Sequence, residues 1–76
     1  MTKANRERIA SAAEQIAEIR ETLEEIKEDE EEEFDSLPEK AQEGTQGEEM
    51  QAAIEILEEV IGQLEECEDS LSDIDP

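Results

Sequence analysis

The sequence predicts an all-α fold: an antiparallel, coiled-coil-like helical hairpin that dimerises into a four-helix bundle. Three observations predict it. Two stretches carry apolar residues at three- and four-residue steps, the spacing of one face of an α-helix. The segment between them holds Pro38, Gly44 and Gly47 together with two helix-capping patterns. Finally, 76 residues with one Phe, no Tyr and no Trp supply too little apolar surface for two helices to enclose a core alone, so burial between chains is expected. The chain reads as one domain, residues 1–76, with a helix over 6–33, a connection with a short helical turn over 34–47, and a helix over 48–72.

Thr2 and Asn5 are both able to cap the first helix. From Arg6 onward Ile9, Ile16 and Leu23 fall at heptad position a, and Ala12, Ile19 and Ile26 at d. Ala12 and Ala13 are small enough to let a neighbouring helix approach closely. The stripe stops at Ile26, because the next a and d positions are Glu30 and Glu33. Glu28, Asp29, Glu30, Glu31, Glu32 and Glu33 form an unbroken acidic run. Like charges at i,i+4 and anions at a helix C-terminus both oppose helix there, so a cationic partner would stabilise it. Its bland reading is a solvated helix end.

In the connection, Ser36-Leu-Pro-Glu39 matches a capping box with Pro38 in the first turn. Phe34 and Leu37 are positioned to fold back over the end of the seam, and Gly44 suits a C-cap. Thr45-Gln-Gly-Glu48 is a second capping box that opens the last helix. There Met50, Leu57, Leu64 and Leu71 fall at a, and Ala53, Val60, Cys67 and Ile74 at d. Ile54 and Ile61 add position e, and Ile56 lies at g. Three apolar positions per heptad exceed what the first helix covers and suit a bundle. The oligomer seam is therefore expected at Met50, Ile54, Leu57, Ile61, Leu64 and Leu71. Gly62 falls on the solvent side, and Asp69 to Pro76 reads as a fraying acidic tail.

The formal net charge is −20, and it is unevenly spread. Residues 1–20 hold four bases (Lys3, Arg6, Arg8, Arg20) against three acids, a balance of +1, and residues 21–76 hold 23 acids against Lys27 and Lys40, a balance of −21. Such a surface repels nucleic acid and anionic membrane and attracts basic protein surfaces. Nine acids lie within Glu21–Glu33. At about 1.5 Å of helix per residue this is roughly one charge per 2 Å, close to the roughly 1.7 Å per charge of B-DNA. The density is shared by many acidic coiled coils.

No residue set reads as an active site, and no enzyme activity or cofactor is expected. There is no His, no phosphate-binding glycine loop and no activated serine. Paired carboxylates lack a cleft to separate their pKa values. With one Cys and no His, zinc ligands cannot be assembled, and Asp69, Asp73 and Asp75 lack the spacing of a calcium loop. Cys67, the only cysteine, reads as a small core residue. The N-terminal MTKANRERIASAAEQ contains no apolar run of a secretory signal, and a cytoplasmic location is expected.

Residues 34–61, FDSLPEKAQEGTQGEEMQAAIEILEEVI, resemble a pattern of small acidic phage and prophage proteins. It is carried by Phe34, Asp35, Leu37, Pro38, Glu39, Gln42, Gly47, Glu48, Met50, Ala53, Ile54 and Leu57. This implies a phage context and action in the host cytoplasm, with no residue roles. In size, charge and composition alone, the chain also resembles phage DNA-mimic inhibitors, which block defence enzymes by occupying DNA sites.

The expected function is thus a non-enzymatic acidic module that binds a basic, nucleic-acid-binding host protein by charge mimicry. The expected binding residues are Glu24, Glu25, Glu28, Asp29, Glu30, Glu31, Glu32 and Glu33, with Glu58, Glu59, Glu65 and Glu66 as a second face. The rival readings are a structural oligomerisation or assembly module whose acidity only confers solubility, and a helix donated to a heteromeric partner.

Overall fold

The computed structural model describes residues 1–74. It contains α1 (Lys3–Ser36), α2 (Glu39–Glu43) and α3 (Thr45–Ser72), with no strand among the described residues. The chain is a helical hairpin in which α3 packs against α1 from the corner onward and α2 sits on α3, while the first turns of α1 extend past the end of α3. Two ion pairs give the direction: Arg20 meets Glu68 and Lys27 meets Glu58, so α3 descends as α1 ascends. The molecule measures 58 × 14 × 14 Å. Asp75 and Pro76, the end of the expected acidic tail, lie outside the described residues.

Thr2 is the cap of α1: its Oγ1 accepts from the Asn5 N–H at 3.2 Å, satisfying one of the free donors of the first turn. The helix continues through the whole acidic run and ends at Ser36, beyond the boundary expected at residue 33. The seam explains this. The half-buried residues of α1 and its C-cap are Ile9, Ala13, Ile16, Ala17, Arg20, Leu23, Glu24, Lys27, Glu30, Phe34 and Leu37. That pattern follows heptad positions a and e. The expected d positions Ala12, Ile19 and Ile26 are exposed, Ile19 at 54% and Ile26 at 43%. On the a/e line the stripe does not stop at Ile26. It passes Glu30 and resumes at Phe34 and Leu37, which anchor the acidic run from its far end.

The choice of a/e follows from side-chain size in α3. Its e positions are Ile54, Ile61 and Glu68, whereas its d positions within the packed length are Ala53, Val60 and Cys67. Turning the a/e side inward buries the larger aliphatics. Met50, Ile54, Leu57, Ile61, Leu64 and Leu71, expected between copies, are thus partly or fully covered within a single chain, and on α3 only α1 and α2 are available to cover them. Ile61 is the most buried of them, at 8% exposure. Cys67, expected in the core, is exposed.

The corner departs from both expected capping boxes. Ser36 stays in α1 and its hydroxyl donates to the Glu32 carbonyl at 2.9 Å. Pro38 caps α2, its carbonyl accepting from the Ala41 and Gln42 N–H groups at 2.9 and 3.0 Å. Gly44, in extended backbone, ends α2 and also caps α3, so Thr45 lies inside the helix and makes no side-chain cap. The C-terminal carbonyls of α1 are closed by Gln42, whose Nε2 donates to Phe34 O at 3.0 Å and Leu37 O at 3.2 Å. Gly47 is buried beneath α2: a Cβ built there would meet the Gln42 carbonyl oxygen at 2.0 Å.

Gly62 has the opposite surroundings. It lies in the interior of α3, and a Cβ there meets nothing within 4 Å. Gly62→Ala is therefore expected to stabilise the hairpin by about 1 kcal/mol through backbone entropy, read as a higher midpoint in thermal unfolding.

Candidate partner-binding surface

With the a/e positions facing inward, helical geometry sets what faces outward, since each residue advances about 100° around the axis. Positions b and f of both helices fall on one side of the hairpin, and three adjoining hollows trace that side. The first is lined by Glu31, Phe34, Asp35, Gln51, Ile54, Glu55 and Glu58, and the second by Glu24, Lys27, Glu28, Glu58, Ile61, Gly62 and Glu65. The third is lined by Arg20, Glu65, Glu68 and Asp69. Shared residues join them into one acidic trough.

Two cations lie in the trough, and both are engaged by carboxylates. Arg20 Nε donates to Glu68 Oε2 at 2.6 Å and Nη1 to Glu24 Oε1 at 2.8 Å, with a longer Nη2 contact to Glu68 Oε1 at 3.4 Å. These hydrogen bonds, first to Glu68 and then to Glu24, hold the guanidinium pKa above its ordinary value. Lys27 Nζ sits 3.5 Å from both Glu31 Oε1 and Glu58 Oε1. Partial burial works against the Lys27 charge, and the combined field of Glu31 and Glu58 overrides it, raising the pKa. A raised cation pKa means that the charged, paired form of each cation persists to higher pH than in a free side chain. These bridges hold α1 and α3 in register. Glu28, Asp35, Glu55, Glu65 and Asp69 line the same trough and appear in no ion pair among the described residues.

The twelve expected binding residues do not share one surface. Glu24, Glu28, Glu31, Glu58 and Glu65 lie in the trough. Glu25, Glu59 and Glu66 are exposed at position c, on the back of each helix, away from the seam. Glu32 also falls at c, but it joins Asp29 and Glu33 around a separate hollow with Ser36, Leu37, Gln46 and Met50. Glu30 is half-buried on the seam line. The physical reason is the helix itself: six consecutive residues wind more than once around the axis. Asp35, Glu55, Glu68 and Asp69 are trough residues that sequence reasoning misses. Finding them needs the phase of the seam and the register of α3 on α1, and position in an acidic run gives neither.

Among the described residues no group of three or more His, Cys, Asp or Glu side chains converges to hold a metal ion, and no helix is long and apolar enough to cross a membrane. Of the twelve residues that carry the phage-protein pattern, Leu37, Pro38, Gln42 and Gly47 build the corner, and Met50, Ile54 and Leu57 build the seam. Comparison of the chain with family models, with curated proteins and with solved structures finds no match.

Proposed function

We propose that the chain is a non-enzymatic acidic binding module that occupies the nucleic-acid site of a basic protein by presenting charge in the manner of DNA. The setting implied by the resemblance is a phage product acting on a host defence protein. One observation carries the reading: the trough presents carboxylates from two helices locked in register along the hairpin, and its two cations are already paired. A fixed line of anions is what a DNA-binding groove selects for, and release of the counterions condensed on it drives association.

The test is capture from host lysate at low and high salt, with two sets of charge-neutralising variants. Glu28→Gln, Glu55→Gln, Glu65→Gln and Asp69→Asn together empty much of the trough while leaving Arg20 and Lys27 paired. Glu25→Gln, Glu59→Gln and Glu66→Gln remove nearly as much charge from the back. The expected result is enrichment of DNA-binding proteins, steep loss of capture with salt, and a larger loss from the trough set. Capture that ignores salt, or that shows no such enrichment, rejects charge mimicry. Equal effects of the two sets reject the trough as its site.

A second reading, an assembly module whose acidity keeps it soluble, is favoured by a different observation. The side of the hairpin opposite the trough carries a long stretch without charge.

A further inference from the structure

On α1 that opposite side is formed by Ala12, Gln15, Ile19, Thr22 and Ile26, all exposed. On α3 it continues through Ile56, Val60, Gln63, Cys67 and Ser70, of which only Val60 is half-covered. These are the d and g positions. In each helix d lies about 80° from the seam direction, and reversing one helix against the other brings both d stripes to the same side. The hollow that groups Asp29 and Glu33 of α1 with Gln46 of α3, which occupy the same heptad positions, shows that they do share it. Ile56 is 60% exposed. In a chain with 42% charged residues, so long an uncharged side is an interface pattern.

From this side we infer that the hairpin pairs with a second copy of itself across the d/g face, with the two corners at opposite ends of the dimer and four helices side by side only around its middle. Two observations select a second copy. First, the chain exposes 5731 Å², whereas a compact monomer of 8.6 kDa exposes about 4,700 Å². The excess, about 1,000 Å², is close to the roughly 800 Å² per partner that a standard stable interface buries. Second, on α1 the charges at the two ends of the uncharged side are complementary to themselves. Along α1, Arg8 stands before it, and Asp29 and Glu33 stand after it.

A two-fold axis across the hairpin near Ile19–Thr22 lays α1 antiparallel on α1 of the second copy. Arg8 then faces Asp29 and Glu33 of that copy, and the basic start of α1 lies over the partner's acidic run. The other two-fold, parallel to the long axis, stacks acidic run beside acidic run and is opposed by like-charge repulsion. The Arg20–Glu68 ion pair carries the register across the hairpin. An axis that crosses α1 near Ile19 therefore crosses α3 near Cys67 and brings the two Cys67 thiols together, while Ile56, beyond the end of the partner's α3, lies beside the partner's α1.

The pairing deepens the assembly reading and is independent of charge mimicry, which uses the opposite side. Its test joins sedimentation with cross-linking of the unmodified chain by a short bis-maleimide. The expected results are a dimer mass and efficient cross-linking through Cys67. Arg8→Asp should weaken the dimer on the order of tenfold, two symmetric pairs being lost, and Arg8→Asp combined with Asp29→Arg should restore it. Because these surface charges lie off the hairpin seam, folding of the variants is not at issue. A monomer at all concentrations overturns both the pairing and the assembly reading. A dimer that fails to cross-link at Cys67, or that ignores the charge swaps, overturns this arrangement and leaves assembly standing.

Discussion

Gly47→Ala is expected to be the most damaging single-methyl addition in the chain. The new Cβ would lie 2.0 Å from the Gln42 carbonyl oxygen and 2.5 Å from its carbonyl carbon. Both are backbone atoms, so no rotamer change relieves the overlap. Relief requires lifting the five-residue α2 off the first turn of α3. That displaces the Gln42 amide from the Phe34 and Leu37 carbonyls that it caps. The cost combines overpacking with lost capping, about 3 kcal/mol. In a chain of this size that lowers the thermal midpoint by roughly 12–24 °C. Melts followed by circular dichroism at one fixed protein concentration measure it, because association makes the midpoint depend on concentration. A midpoint within a few degrees of the parent would mean that α2 does not rest on Gly47.

Ile61→Ala carries the second large effect. Among the described residues Ile61 is the one apolar side chain that the hairpin buries, at 8% exposure, and it lies in the middle of α3 on the line facing α1. Truncation removes its transfer energy and leaves a void that two helices can only partly close, at a cost of about 3 kcal/mol. Glu59→Ala, on the far side of the same helix, should change stability by less than about 0.5 kcal/mol. Urea unfolding of the pair checks the contrast: the midpoint should fall for Ile61→Ala with little change in slope. Equal midpoints would mean that the a/e line is not the seam.

The two helices and their antiparallel order are legible in the sequence because periodicity and a proline-glycine corner are local signals. The pairing face is not. In α1 the a/d line, through Ala12, Ile19 and Ile26, looks the better stripe because its residues are apolar, whereas the a/e line contains Arg20 and Lys27. Both cations are nevertheless accommodated at the seam edge, since carboxylates of α3 meet them. That compensation depends on which residues of α3 stand opposite, a fact outside the sequence of α1. The acidic run shows the same division. Its existence is plain, but its carboxylates scatter around the helix, and only the phase set by Phe34 and Leu37 sorts them into trough, back and seam.

The corner shows how near neighbours compete for one role. Ser36 and Thr45 carry capping side chains, yet Pro38 and Gly44 hold the cap positions. Ser36 remains helical because Phe34 and Leu37 continue the seam past it, and Gly44 serves two helix ends at once. The sequence by itself determined the helices, the corner between them and the excess of negative charge, since each follows from residue spacing and composition along the chain. The tertiary structure decided which line of α1 faces α3, why position 47 is glycine, and that the hairpin has an acidic side and an uncharged one. These depend on the rotation of one helix against the other, which is fixed by the relative size of Ile54 and Ile61 against Ala53 and Val60 and by the ion pairs that lock the register.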